Sequence, residues 1–506
     1  MASYFKKAFW SSVISLILSF LAGGTSYITR IILARNLQPA ELGLFYAVFT
    51  FVIFFLFFRD LGLGQALVRY IAELEVHKRY DDIKTAIISV LTIQFASSAV
   101  FGIIFFFLAD YLSQYYFKDP AAALILKILV IYVLSSILFI VAKNVLQGFQ
   151  KITLFSSMEF VKNLIVLILI VFFSYLGFKI LAPVLAFAMV NIILFLIYLP
   201  YVLKRFPFFQ QKTIQFKETS QKMLLMGLPF FVTAIGDKVI AYIDTLMLTY
   251  FSTLTEVGIY NVVLPSAIIF LDIGGAIATV VFPMSSELWA KGDTKRLIKG
   301  VHLMHRYTFI LAIPPLAALF IFSEFFLTLF FGKEYAVGAL AFQILLVGVL
   351  FFLVAFINNN VLSGIGKPKI VTKMILIGAA ANALLNIVFI PVYGIAGAAF
   401  ATSFSYFLIL LLSTSKVIYY IQAPRPYKDW IKLTIPAATF VGVIYLSQKH
   451  LYFAPWIKLL VSFPAAIMIY FLQLYLFNLI NLRELKYYFM QLRKKDLPPP
   501  KQYANP

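Results

Sequence analysis

The chain has 506 residues, of which 62 % are hydrophobic and 12 % charged, whereas about 25 % of an average soluble domain is charged. Lysine and arginine outnumber aspartate and glutamate 42 to 21, a formal charge of +21. So few charges cannot cover a soluble surface, and so much apolar surface excludes a disordered chain. What is left is an all-α, polytopic membrane protein. Without cysteine, disulfides, thiolate metal sites and Cys nucleophiles are excluded.

A membrane-crossing helix needs about 20 apolar residues. Each such run is expected to be helical, because lipid offers backbone groups no partners. The first run, near 9–34, follows Lys6 and Lys7 as a signal peptide would. It is too long for a secretory apolar core and no small-residue cleavage site ends it, so it reads as a retained helix. Runs near 42–58, 86–109, 121–142, 152–177 and 180–203 come next, then a polar connection at 204–222. Further runs lie near 223–250, 257–285, 307–331, 336–363, 374–391, 394–415, 433–448 and 459–480, fourteen spans in all. The expected organisation is an N-terminal lobe at 1–210, a second lobe at 211–421 and a helix pair at 422–482. The tail at 483–506, with Arg493, Lys494, Lys495 and Pro498 to Pro500, is expected to be disordered and drawn to anionic headgroups.

Basic residues in loops set orientation. With both termini in the cytoplasm, 32 of the 42 basic residues fall on the cytoplasmic side. Six fall outside (Arg35, Lys118, Lys179, Lys333, Lys449 and Lys458) and four inside spans. One missed span would invert everything downstream, so the asymmetry supports the helix count and two cytoplasmic termini, in a protein expected in the cytoplasmic membrane. The surplus therefore fixes topology, and no nucleic-acid partner is expected. Trp10, Trp289, Trp430 and Trp456 fall at or close to span ends, where an amphipathic ring prefers the headgroup level. His77, His302, His305 and His450 are placed in polar connections, and no acidic residue completes a metal set beside His302 and His305.

The chain also repeats itself. Residues 27–45 lie over 242–260 at an offset of 215, pairing Tyr27 with Tyr242, Glu41 with Glu256 and Gly43 with Gly258. NVLQGFQK at 144–151 matches NVLSGIGK at 360–367 at an offset of 216. Asp60-Leu61-Gly62 fits Asp272-Ile273-Gly274 at 212, with a short gap. The offset covers an even number of spans, so both copies run the same way through the membrane. The expected architecture is two pseudo-symmetric six-helix lobes plus two C-terminal helices, with alternating access by rocking of one lobe against the other.

ITRIILARNLQPAELGLF, then RDLGLGQALVRYIAE, then NVLQGFQK, resemble the Wzx-type polysaccharide and O-antigen flippases. These belong to the MATE-like (MOP) exporter superfamily, with MurJ-type lipid II flippases as relatives. The resemblance covers the whole chain and is stronger for fold than for substrate. Fourteen spans match Wzx-like and MurJ-like members better than the twelve-span drug exporters. The resemblance implies a flippase for a lipid-linked oligosaccharide on a polyprenyl-diphosphate carrier. Membrane lipids, and glycosyltransferases or a polymerase of the same pathway, are the expected partners of a monomer.

Ionisable residues inside spans are the site candidates, because an unpaired charge there is strongly disfavoured. Arg30 lies in the first span, and its repeat-equivalent, Thr245, sits beside Asp244. A guanidinium forks well onto a diphosphate, but an Arg30–Asp244 ion pair or snorkelling to the surface fits as well. Lys162 follows Glu159 by three residues, close enough to neutralise it. Lys127, six residues into its span, either snorkels or meets substrate. Asp237 and Asp244 share a face of the seventh span, Lys238 points about 100° away, and Asp272 lies mid-way along the eighth. Asp237, Asp244, Asp272 and Glu159 either handle a coupling ion, H⁺ or Na⁺, or pair with the buried bases. Asn358, Asn359, Asn382 and Asn386 either line the pathway or join helices. Glu324 is expected near the headgroups, and Asp60, beside Arg59, in organising the following loop.

Among functions, a flippase competes with a MATE-like antiporter exporting small cations or drugs against H⁺ or Na⁺. A flippase cavity should be net basic and a cation exporter's net acidic, yet the charges inside the spans nearly balance. An enzyme is disfavoured. There is no GxxxxGK[ST] loop or GxSxG elbow, and outer connections are too short for a water-exposed catalytic lobe. No cofactor other than a coupling ion is expected.

Overall fold

The computed structural model describes residues 2–422 and 427–480. Among them there is no strand. The helices are α1 (Ala2–Asn36), α2 (Pro39–Asp60), α3 (Leu63–Val76), α4 (Tyr80–Tyr115), α5 (Ala121–Gly148), α6 (Ile152–Tyr175), α7 (Leu181–Arg205) and α8 (Phe216–Phe251). They continue as α9 (Leu254–Ile268), α10 (Leu271–Ala290), α11 (Thr294–Ile321), α12 (Ser323–Phe330), α13 (Ala339–Gly364), α14 (Pro368–Ile421), α15 (Tyr427–His450) and α16 (Pro455–Leu476). Among the described residues, thirteen segments are long and apolar enough to cross a membrane. One of these, α14, has 54 residues and would be about 80 Å long if straight, far more than the roughly 30 Å hydrocarbon core. It breaks at Gly394 (φ 53°, ψ −129°), which divides it into two spans and gives the expected fourteen. Only a glycine fits that break, because a Cβ there would lie 2.5 Å from the Glu256 carboxylate.

Several connections depart from the expected spans. The eighth span is two helices, α9 and α10, interrupted at Ile269 and Phe270. The ninth divides after Ile321 into α11 and α12. The loop after α2 folds into α3, whose apolar face (Leu63, Leu67, Tyr70, Ile71, Leu74) joins a core with Ile83, Ile87, Val141, Val145 and Phe206. His302 and His305 are on α11 rather than in a connection, and His305 is buried. Trp289 and Trp456 do stand at helix ends, partly exposed. The tail at 483–506 lies outside the described residues.

Two compact units are present. The first comprises Met1–Ile268, Leu327–Leu345 and Thr372–Ile409. The second comprises Ile269–Phe326, Leu346–Val371 and the described residues from Leu410 onward. In the first unit α5 packs on α4 and α7, α1 on α6, and α2 on α9. Large side chains such as Phe20, Phe107 and Leu225 are exposed, as expected for helix faces turned to lipid. In the second unit α11 packs on α15, and α15 on α16, around Ile310, Phe440 and Tyr470.

The repeat is visible in the packing. Gly43 and Gly258 face each other where α2 crosses α9. A Cβ on Gly43 would lie 1.7 Å from the Leu254 carbonyl oxygen, and one on Gly258 2.0 Å from the Pro39 carbonyl oxygen. Pro39 and Leu254 are themselves repeat-equivalents at 215, so the crossing has local two-fold character. The second motif behaves alike in each unit. Gly148 packs on Ile71 of α3, and Gly364 on Ser285 of α10.

Candidate functional site

The first unit contains a polar cavity of about 610 Å³. Its walls are single faces of several helices. Ile53, Leu56, Phe57 and Asp60 of α2 lie at helical spacing. So do Tyr132, Ser136, Phe139, Ile140, Lys143, Asn144 and Gln147 of α5, and Phe155, Glu159 and Lys162 of α6. Asn191 of α7 and Lys238 and Tyr242 of α8 complete the polar lining, with Gln65 of α3.

The last turn of α2 builds one end. Leu61 (φ 48°) and Gly62 (φ 72°) reverse the chain between α2 and α3. Gly62 is obligatory there, since a Cβ would lie 2.1 Å from the Gly227 carbonyl oxygen. The turn fixes Asp60, which accepts from Gln94 Nε2 at 2.6 Å and from the backbone N–H groups of Gly62 and Gly64. Asp60 thus organises the turn, as expected, and also lines the cavity. Arg59, 1 % exposed, donates through Nη1 to Ser136 Oγ (2.8 Å), the Val133 carbonyl (3.1 Å) and Ser98 Oγ (3.3 Å). Its Nε has no partner in the protein.

Glu159 is the centre of the other charged group. Its Oε1 accepts from Lys162, the expected pair one turn away, and its Oε2 accepts from Lys143 at 2.7 Å. The Lys238 amine sits over the Tyr242 ring, 5.8 Å from its centroid. The lining therefore carries four bases (Arg59, Lys143, Lys162, Lys238) against two acids (Asp60, Glu159). One of the two surplus positive charges comes from α5 running to Gly148, which brings Lys143, Asn144 and Gln147 into the helix. A span ending at 142 leaves them in a loop. The polar stripe Ser136, Lys143, Asn144, Gln147 is the signal in the sequence for this wall.

A second polar cluster surrounds Asp244, 1 % exposed. Its Oδ2 accepts from Tyr260 Oη and Thr402 Oγ1, both at 2.5 Å, and its Oδ1 from Asn386 Nδ2 at 2.7 Å. Asn382 bonds Thr402 at 3.1 Å, so Asn382 and Asn386 act from one helix face, as their spacing required. Asn386 Oδ1 is buried and unpartnered. Arg30 is not paired with Asp244. It donates to the Asn261 carbonyl and lies over the Tyr46 ring. Its repeat-equivalent Thr245 bonds the side chain of the same Asn261 at 3.2 Å.

The remaining candidates lie apart from both clusters. Lys127 forms an exposed ion pair with Asp110 at 3.0 Å. Asp237 is exposed, whereas Asp244 is not. Asp272 is also exposed, in the first turn of α10 rather than mid-helix, because the chain breaks just before it. Glu324 opens α12. In the second unit Asn358 joins His305 (3.0 Å), Ser413 (3.2 Å) and Thr414 (3.0 Å). Asn359 is buried with an unpartnered Oδ1.

Comparison with known proteins places this architecture. The family model described as "Polysaccharide biosynthesis protein" matches residues 9–289, and that of MatE matches 229–388. An "Uncharacterized membrane protein MJ1068" of Methanocaldococcus jannaschii is 31 % identical over 500 residues, 96 % of this chain and 98 % of that protein. The "Probable low-salt glycan biosynthesis flippase Agl15" of Haloferax volcanii is 22 % identical over 42 % of this chain and 45 % of that one. Among solved structures, the lipid II flippase MurJ in an inward closed conformation superposes with a TM-score of 0.75 at 17 % identity, covering 94 % of this chain and 99 % of that one. The match to more than half of the sequence, on this fold, makes the chain a member of the polysaccharide biosynthesis protein family within the MATE-like exporter superfamily.

Proposed function

We propose that the protein is a flippase that carries a lipid-linked oligosaccharide, on a polyprenyl-diphosphate carrier, from the cytoplasmic to the outer leaflet of the cell membrane. The net-basic lining of the α2–α5–α6–α8 cavity carries this reading. An anionic phosphate head needs cationic donors in a low-dielectric site. An exporter of organic cations would need the opposite balance. The glycan-flippase relative points the same way. In this reading the sugar and phosphate cross through the polar cavity, while the lipid tail stays in the bilayer. The two lobes rock to expose the cavity to each side in turn, and no chemical bond is made or broken.

Asp244 is the proposed seat of a coupling ion. Tyr260, Thr402 and Asn386 give it a cage of oxygen-bearing side chains. Turning the Asn386 amide would direct its unpartnered oxygen at a cation. A protein acting as a monomer beside the glycosyltransferases of its pathway completes the picture.

The test is transbilayer movement of a fluorescent polyprenyl-diphosphate oligosaccharide in proteoliposomes. Replacing both Lys143 and Lys162 by Gln removes two charge-assisted donors, each worth about 1.5–3 kcal/mol, and should slow movement at least about tenfold. Wild-type rates in that double variant would overturn the proposal. So would export of a lipophilic cation by a wild-type protein that moves no glycolipid.

A further inference from the structure

The Glu159 cluster is more than a pair of neutralised charges, and the role inferred for it rests on the proposed flippase function. Lys143 comes from α5 and Lys162 from α6, and each takes a different oxygen of one carboxylate. All three side chains keep contact with the cavity: Lys143 is 27 %, Lys162 23 % and Glu159 39 % exposed. A carboxylate that receives one ammonium on each oxygen presents the same forked acceptor as two oxygens of a phosphate. The same walls also hold buried donors that the protein leaves unmatched. Asn144 Nδ2 and Asn191 Nδ2 have no acceptor, nor does Arg59 Nε. Asn144 owes its position to Gly64, where a Cβ would lie 2.7 Å from Nδ2. Buried donors in native proteins nearly always have an acceptor. These three atoms are themselves closed off from the cavity, so they add polarity to its wall, and the ligand contacts fall to Lys143 and Lys162.

We infer that Glu159 is an internal stand-in for the substrate's phosphate, which yields Lys143 and Lys162 to the arriving phosphate and takes them back when it leaves. The exchange keeps both lysines ordered and partly neutralised between cycles. It also keeps the phosphate from being held too tightly, because every departure is helped by a carboxylate competing for the same donors. Glu159 is thus a positioning residue that sets the balance between capture and release. The ligand class it matches is a phosphate or diphosphate ester that keeps at least two non-bridging oxygens on one phosphorus. A neutral sugar has no advantage over Glu159 at these lysines.

The experiment is calorimetric titration of the purified full-length protein with inorganic pyrophosphate at low ionic strength, together with the proteoliposome transport assay. Glu159→Gln removes the competing charge and should tighten pyrophosphate binding about tenfold while lowering the maximal transport rate. Glu159→Ala, which removes the charge with a different shape, should shift binding the same way. Glu159→Asp keeps the competitor and should bind as the wild type does. The Lys143→Gln, Lys162→Gln double variant should bind most weakly of all. If the double variant loses binding but neither neutral variant of Glu159 tightens it, the stand-in role is overturned and the flippase reading survives. If the wild type binds no pyrophosphate, or the double variant binds it unchanged, the anionic-substrate reading falls as well, and this inference with it. A purely structural ion pair predicts that the neutral variants lose thermal stability and bind no tighter.

Discussion

At the scale of single residues, the sequence shows which charges are costly but not which are enclosed. Asp237 and Asp244 look equivalent, because they are seven apart on one face of α8. One is exposed and the other 1 % exposed with three donors around it. The difference comes from Tyr260, Asn386 and Thr402, residues brought from distant segments, and no local pattern announces such convergence. Removing the Asp244 carboxylate leaves several buried donors unmatched, at about 1–3 kcal/mol each. Asp244→Ala should therefore destabilise the protein by several kcal/mol, while Asp237→Ala should change stability by about 0.5 kcal/mol or less. Thermal unfolding in detergent checks this, and equal shifts for the two variants would refute the cage. The Glu159–Lys162 pair, by contrast, is legible in the sequence, because partners three apart on one helix need no tertiary information. Lys143, its second partner, is hidden there, because hydropathy ends the span at 142 and the helix runs on to Gly148.

At the scale of elements, the number and order of spans follow from hydropathy, because lipid forces every apolar run of sufficient length into a helix. Breaks within those runs do not follow. The interruption at Ile269 and Phe270 has no Gly or Pro of its own, and α3 is concealed in what reads as a loop. The repeat does more than hydropathy can, since it pairs Gly43 with Gly258 from sequence alone. Their contact gives a sharp prediction. Alanine at Gly43 must push α2 away from α9, because its Cβ would lie 1.7 Å from backbone; overpacking of this kind costs about 1–3 kcal/mol. Gly23, on α1, has nothing within 4 Å of a built Cβ, so Gly23→Ala should be neutral or stabilise by up to about 1 kcal/mol through helix propensity. Opposite signs in the two melting-temperature shifts are expected. A neutral Gly43→Ala would mean that the α2–α9 crossing is loose.

At the scale of the whole molecule, the charge of +21 bears on orientation more than on cargo. The structure moves Arg59 and Lys143 from loops to a cavity wall, and the asymmetry of the remaining basic residues predicts the orientation. With the amino terminus inside, each crossing alternates. The connection between α4 and α5, at 116–120, then faces outward with Lys118 alone. The connection between α7 and α8, at 206–215, faces the cytoplasm beside Lys204, Arg205, Lys212 and Lys217. The absence of native cysteine makes the test clean: Asp119→Cys and Gln211→Cys each introduce a single thiol. In intact cells a membrane-impermeant maleimide should label Asp119→Cys and spare Gln211→Cys until the membrane is opened. The α15–α16 connection, at 451–454, should label like Asp119→Cys when Tyr452, 98 % exposed, carries the thiol. Labelling of Gln211→Cys in intact cells would invert the topology, and the direction of transport proposed for the flippase would reverse with it.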